Sequence, residues 1–310
     1  MTEQLSESIW QILACPNCQY PLDKASHGAE CCHCGEQFRF AASGSLDLRL
    51  HRAKSCVLEF DLLERLPAAG TLDFQPLTPN QTPEVDYSTA DVPRHLSREL
   101  LGYFPRAEGE NSLMLDLGCG STIHREVCEL AGFEYVGVDY SSPQAPILGD
   151  AHSLSFKDSS FDFVLSIAVL EHIRYPLVMM REVYRILKPG GTFIGTVAFL
   201  EPFHSDSFYH HTHLGVVSSL EYGGFKVEKV APSRKHSVLV AQAKSALFPR
   251  MPRSVSIALV MPLYLLHQLW WRIGSSLTGR LDETVRILTT TGAFSFVARK
   301  DAATNGDSTT

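Results

Sequence analysis

The chain has 310 residues, 45% of them hydrophobic and 20% charged, enough to bury a full α/β core and carry appended modules. Its formal net charge of −7 gives no overall attraction to phosphate backbones and argues against a dedicated nucleic-acid binder. The first ten residues contain Glu3 and Glu7 and no basic patch followed by an apolar run, which argues against a secretory leader and for a cytoplasmic protein with reduced thiols.

Residues 1–50 read as a zinc ribbon. Cys15-Pro-Asn-Cys18 and Cys31-Cys-His-Cys34 are two Cys-x-x-Cys knuckles separated by twelve residues, a spacing that lets two facing turns pinch one tetrahedral ion. A segment this short has little apolar surface of its own and gains stability from such a staple. Cys15, Cys18, Cys31 and Cys34 are the expected ligands, with Cys32 or His33 as alternatives in the second knuckle. Four ligands leave no open position, so the ion is expected to be structural. Leu13, Tyr20, Leu22, Phe38 and Phe40 are the expected apolar cover.

Residues 51–110 read as linker and helical cap. Five prolines between Pro67 and Pro93 exclude one continuous helix or a central strand. Residues 57–66 and 93–104 have helical spacing of apolar positions. Tyr87 reads as an exposed linker aromatic, with closure over a ligand as the alternative.

The core, residues 111–232, begins with Leu115-Asp-Leu-Gly-Cys-Gly-Ser121, a strand that breaks into a glycine turn. Asp116, Gly118 and Gly120 describe a strand end that bends sharply and lets a ligand approach bare backbone. A short helix over 123–131 follows. The strand Tyr135-Val-Gly-Val-Asp139 then ends in a carboxylate placed to take ribose hydroxyls beside that turn. A third strand ends at Asp150, suited to an adenine amino group, and Phe161-Asp-Phe-Val-Leu-Ser166 is the fourth. A helix over 176–187 is stopped by Lys188-Pro-Gly-Gly191, and 192–197 form the fifth strand.

These ordered motifs resemble the class I S-adenosylmethionine-dependent methyltransferases of the small-molecule type, the methyltransferase type 11-like group, over roughly residues 113–230. The resemblance rests on Leu115-Asp-Leu-Gly-Cys-Gly120, Gly137-Val-Asp139, Gly149-Asp-Ala151 before Phe161-Asp-Phe-Val164, and Leu187-Lys-Pro-Gly-Gly191. It implies an α/β fold with a doubly wound, mostly parallel, seven-stranded Rossmann-like sheet. It also implies that S-adenosyl-L-methionine is held by Asp116, Gly118, Gly120, Asp139, Tyr140, Asp150 and Ala151, with Gly118 and Gly120 bracketing its methionine portion. Two departures stand out. Thr122 occupies the third glycine position, and residues 140–148 are too few for the usual crossover helix.

Ligands of open α/β sheets sit beyond the carboxyl ends of the strands, so the loop after the fifth strand should face the acceptor. That loop holds four histidines within residues 204–213. A base with a near-neutral pKa assists a hydroxyl nucleophile, and His204, His172 and His213 are the candidates in that order. A helix over 213–222 and a sixth strand over 226–231 follow. The last strand of the core, 291–300, arrives only after an apolar helical insertion, 233–290.

Within the insertion, residues 254–271 are eighteen consecutive uncharged residues flanked by Arg250, Arg253 and Arg272. Both flanking strands belong to one sheet, which argues against a single crossing of a membrane. A helical hairpin lying in a membrane interface and one serving as a lid or homodimer contact through 236–277 both remain open. Residues 301–310 read as a disordered tail. The leading expectation is methyl transfer to O or N of a sugar, lipid-linked precursor or secondary metabolite, by a cytoplasmic or membrane-associated enzyme. An RNA base methyltransferase using the ribbon for nucleic acid, and an inactive scaffold, are the alternatives.

Overall fold

The computed structural model describes residues 5–60, 74–202, 206–234, 236–278 and 282–302. The N-terminal module opens with helix α1 (Glu7–Ile12), capped by the Ser6 hydroxyl accepting from Ile9 N. A three-stranded antiparallel sheet follows, built from β1 (Leu22–Ala25), β2 (Gly28–Cys31) and β3 (Gln37–Arg39). Leu13, Leu22 and Phe38 are buried beneath it as expected, but Tyr20 and Phe40 are 49% and 47% exposed and do not belong to the cover. Tyr20 instead stacks on His33 at 3.9 Å, tying the two cysteine knuckles together.

The two-residue strand β4 (Leu46–Asp47) corrects the seven-strand expectation. It pairs in parallel with β7 (Ile147–Leu148), the edge strand of the main sheet, and so becomes an eighth strand. The physical reason lies in the short 140–148 connection, which leaves the edge of β7 free to pair. Leu46 N donates to Pro146 O at 3.0 Å and Leu48 N to Leu148 O at 2.8 Å. The module and the main domain therefore share one core, in which Leu13, Phe38, Leu46 and Leu48 pack with Leu115, Val138 and Ile147.

Residues 57–60 form no helix, and the rest of the expected 57–66 helix lies outside the described residues. The helix expected over 93–104 is reduced to α2 (Arg98–Leu101), started by the Ser97 cap. Tyr87 is buried, its hydroxyl donating to Val127 O at 2.9 Å, so it is a core aromatic rather than an exposed linker residue.

The main sheet adds β5 (Leu113–Leu117), β6 (Glu134–Asp139), β8 (Phe161–Ile167), β9 (Leu187–Ala198), β10 (Lys226–Pro232) and β11 (Ala293–Arg299). Its order is β10-β11-β9-β8-β5-β6-β7-β4, and only β11 runs antiparallel to its neighbours. Strands β5 and β6 are buried in near-continuous apolar runs, as a sheet covered on both faces requires. Helices α3 (Arg125–Leu130), α4 (Pro176–Ile186) and α5 (His213–Tyr222) supply cover. Lys188-Pro-Gly-Gly191 ends α4 but is already part of β9, because Leu187 pairs with Phe161 before a register shift.

Chain order reverses between β5 and β8, the switch point where a doubly wound sheet opens a crevice at its strand ends. The insertion contributes α6 (Val238–Gln242), running into a single π-helical turn (Ala243–Leu247), the long α7 (Arg253–Thr278) and α8 (Glu283–Thr290). A bridge between Ser237 and Thr291 closes its base.

Candidate active site

The glycine turn after β5 is held by the end of β6. Gly118 N and Cys119 N donate to Val138 O at 2.7 and 3.0 Å, and Gly120 N donates to Asp139 Oδ2 at 3.0 Å. Asp139 Oδ1 accepts from Ser141 N and Ser142 N at 2.9 and 2.8 Å, while Ser142 Oγ donates back to Gly120 O at 2.6 Å. The carboxylate thus locks the turn, and its Oδ2 keeps one lone pair for an incoming hydroxyl.

The two glycines have different reasons to be glycine. Gly120, at φ +51, would direct a Cβ into open space. Gly118, at φ +78, would place its Cβ 2.3 Å from Val169 Cγ2, so it is small because another residue presses on it. The turn, residues 117–122, carries no basic side chain. An open glycine face, a free carboxylate lone pair and no phosphate seat fit S-adenosylmethionine, which has a ribose and no phosphate.

Asp116 lies deeper than the sequence suggests. It is fully buried, and its Oδ2 accepts from the Tyr135 hydroxyl at 2.7 Å and lies 3.2 Å from His124 Nδ1. It ties β5 to β6 through Tyr135 and to the start of α3 through His124. Tyr140 is 62% exposed, with the Arg49 guanidinium 5.6 Å from its ring.

Asp150 and Ala151 follow β7, and here the structure adds a residue that sequence reasoning missed. Tyr175 N donates to His152 Nε2 at 3.1 Å, so Nδ1 carries the proton and donates to Asp150 Oδ1 at 2.6 Å. Burial pushes the Asp150 carboxyl up, but the hydrogen bonds from the His152 ring and backbone outweigh it and hold the group below its ordinary value. The i, i+2 spacing of Asp150 and His152 was the available signal.

An open cleft of about 410 Å³ lies at the ends of β8, β9 and β10, lined in part by Ala168, Glu171, Thr196, Glu201, Arg234 and His236. Ala168 and Glu171 flank Val169, the residue that touches Gly118, so glycine turn and cleft share one short segment. Ala168 sits at φ +56 with its N–H donating to both Thr196 O and Thr196 Oγ1 at 3.1 Å.

Of the three histidines expected to face an acceptor, His204 lies outside the described residues. His172 ends the 3₁₀ turn Leu170–His172 and does not line the cleft. His213 packs edge-on against Phe74 at 4.6 Å and lies 5.9 Å from the Phe294 ring, and burial lowers its pKa. His211 is buried too, its pKa pulled down to about 4 by desolvation and then by His210. The cleft instead brings together Glu201 and His236, whose Oε1 and Nε2 lie 2.8 Å apart. They stand 35 residues apart, on either side of β10, and no local spacing announces them.

Residues 115–195 match the family described as "Methyltransferase domain". Over these residues the chain is similar to methyltransferase domains. It is 28% identical over 136 residues to the ubiquinone biosynthesis O-methyltransferase of Cereibacter sphaeroides, covering 39% of this chain and 54% of that one. It is 32% identical over 116 residues to the biotin biosynthesis bifunctional protein of Cellvibrio japonicus, covering 34% and 23%. The chain thus spans about half the length, or less, of these curated relatives. Among solved structures it is similar to the complex of the Haloferax volcanii Trm112 methyltransferase activator with a methyltransferase, at TM-score 0.46, 20% identity, 68% of this chain and 91% of that one. The matched part of the methyltransferase domain contains Asp139, Asp150 and Val169, whereas Glu201, His236, the cysteine knuckles and the insertion lie outside it.

The knuckles form one cluster beside the domain. The sulfurs of Cys15, Cys18, Cys31 and Cys34 lie within 4.8 Å of one another, with Cys15–Cys34 at 3.7 Å and Cys18–Cys31 at 3.4 Å. Four thiolates about 2.3 Å from a tetrahedral zinc ion would stand ~3.8 Å apart, so the donor set fits that metal. Each knuckle closes alike: Gln19 N donates to Cys15 O and Gly35 N to Cys31 O, and both residues have left-handed backbone, at φ 62 and 68. Cys32 is exposed, and His33 stacks on Tyr20, so neither joins the cluster.

Proposed function

We propose that the protein transfers the methyl group of S-adenosylmethionine to a hydroxyl of a small acceptor, with a structural zinc ion in its N-terminal module. The observation that carries this reading is the shared Ala168–Glu171 segment, which puts the glycine turn and the acceptor cleft back to back across Val169. When bound, S-adenosylmethionine supplies an electrophilic methyl on a sulfonium. Asp139 fixes the turn and accepts a ribose hydroxyl at Oδ2, and Asp150, oriented by His152, stands at the neighbouring strand end. Methyl transfer is mostly a problem of holding two reactants in line, which this rigid pair of strand ends does.

Glu201 accepts from His236 Nε2–H, which leaves Nδ1 as the ring's proton-accepting nitrogen. That nitrogen would take the acceptor hydroxyl's proton as the methyl's bond to the sulfonium sulfur gives way to a C–O bond and the thioether leaves. The naming of a curated relative as an O-methyltransferase supports oxygen over nitrogen. The test is to incubate the full chain with methyl-labelled S-adenosylmethionine and a cell extract. Base-stable label in the small-molecule fraction is expected. Label confined to the RNA fraction, or none, would refute the reading.

A further inference from the structure

Between residues 229 and 281 the chain carries eight basic residues and no acid, in a protein whose net charge is −7. The same segment contains α7, and that helix leaves most of its apolar surface exposed. Val255, Leu259, Leu263, Leu266, Trp270, Ile273 and Leu277 fall on one stripe at three- and four-residue spacing, and all are exposed, Trp270 at 67% and Leu277 at 80%. The opposite face, which turns toward the body, mixes Ser256, His267 and Gln268 with Val260, Tyr264 and Trp271. A surface helix of a globular protein does the reverse. Contiguous apolar surface of this extent marks a place where something else binds.

We infer that α7 lies flat in the headgroup region of an anionic lipid bilayer, apolar stripe down, with the basic segment held to the lipid phosphates. Charge complementarity chooses this occupant. A two-fold contact between copies of the chain would set the stripe's flanking Arg250, Arg253 and Arg272 against themselves, with no acid in the segment to pair them. A membrane span does not fit either. The other face of α7 lies along the body, where Gln268, Trp271 and Arg272 share a cavity with Glu283 and Arg286 of α8. The Ser237–Thr291 bridge returns both ends of the insertion to the same sheet. Helix α7 is thus an in-plane amphipathic element, with aromatic and basic residues at the depth where such side chains settle. Lys244 and Arg253, at its N-terminal end, also line the acceptor cleft, so docking turns the cleft mouth toward the lipid surface. The inference concerns a surface outside the matched methyltransferase domain and does not depend on the methyl-transfer reading.

Sedimentation of the zinc-loaded full chain with vesicles tests it. Vesicles of phosphatidylcholine mixed with phosphatidylglycerol should bind the protein at least ~10-fold more tightly than phosphatidylcholine alone, since each basic residue near an anionic surface adds severalfold. High salt should weaken that binding. The double variant Leu266→Glu and Trp270→Glu should lose most of it while keeping the wild-type melting temperature. Leu130→Glu, at a position 52% exposed on α3, should bind as wild type. Equal binding to both vesicle types, binding unaffected by the double variant, or a soluble dimer that the double variant dissociates and vesicles do not attract would each overturn the inference.

Discussion

His236 Nε2 stands 2.8 Å from Glu201 Oε1, joining the end of β9 to the first turn of the insertion across the cleft. If this pair moves the acceptor proton, His236→Gln should lower label transfer by about 10²–10⁴-fold, the usual worth of a positioned base. Glu201→Gln should lower it less. Calorimetry should show S-adenosylhomocysteine binding unchanged in both variants, which separates loss of proton transfer from loss of fold.

Asp150 titrates below its ordinary value because His152 donates to it, so the pair stabilises the fold above the unfolded carboxylate pKa of about 3.9. That contribution fades as pH falls through the lower folded value. His152→Ala should therefore cost about 1–2 kcal/mol in urea unfolding near neutral pH, the worth of a hydrogen bond to a charged group. The difference from wild type should vanish in strong acid, where Asp150 is protonated in both states.

The knuckles are wired to the cofactor side of the sheet. Ser153 Oγ and Lys54 Nζ both donate to Pro16 O in the first knuckle, and Ser153 lies three residues after Asp150. One zinc per chain is expected by elemental analysis. Cys18→Ser should remove it and lower the melting temperature by ~10 °C or more, since a few kcal/mol correspond to several degrees in a domain of this size. S-adenosylhomocysteine binding should weaken as well, because the 150–153 loop loses its support.

Gly118→Ala should be damaging out of proportion to one methyl group. Its left-handed backbone costs ~1–2 kcal/mol for any residue with a Cβ, and the new atom would meet Val169 Cγ2 at 2.3 Å. A Gly120→Ala variant keeps the backbone cost and meets nothing within 4 Å. Thermal melts should therefore rank Gly118→Ala well below Gly120→Ala, which should instead lose cofactor affinity.

The central sheet was legible because its strands are long apolar runs ended by Gly118, Asp139 and Asp150 at family spacing. Strand β4 was not legible, since two residues carry no periodicity and pair only because the 140–148 connection leaves an edge free. His152 shows its role only once Tyr175 N fixes its tautomer. Glu201 and His236 meet through the tertiary fold, so a local concentration of histidines drew attention to residues that pack, His213 among them. The apolar run in the insertion was plain in the sequence, but which face of α7 the body covers was not.

If the turn that Asp139 locks is a cofactor site, the protein binds S-adenosylhomocysteine there. Calorimetric titration of the full chain with S-adenosylhomocysteine tests this most directly. Wild type should bind one molecule, and Asp139→Ala should bind at least ~10-fold more weakly, as loss of a charged hydrogen-bond acceptor implies. No binding by the wild type, or equal affinity in the variant, would contradict it.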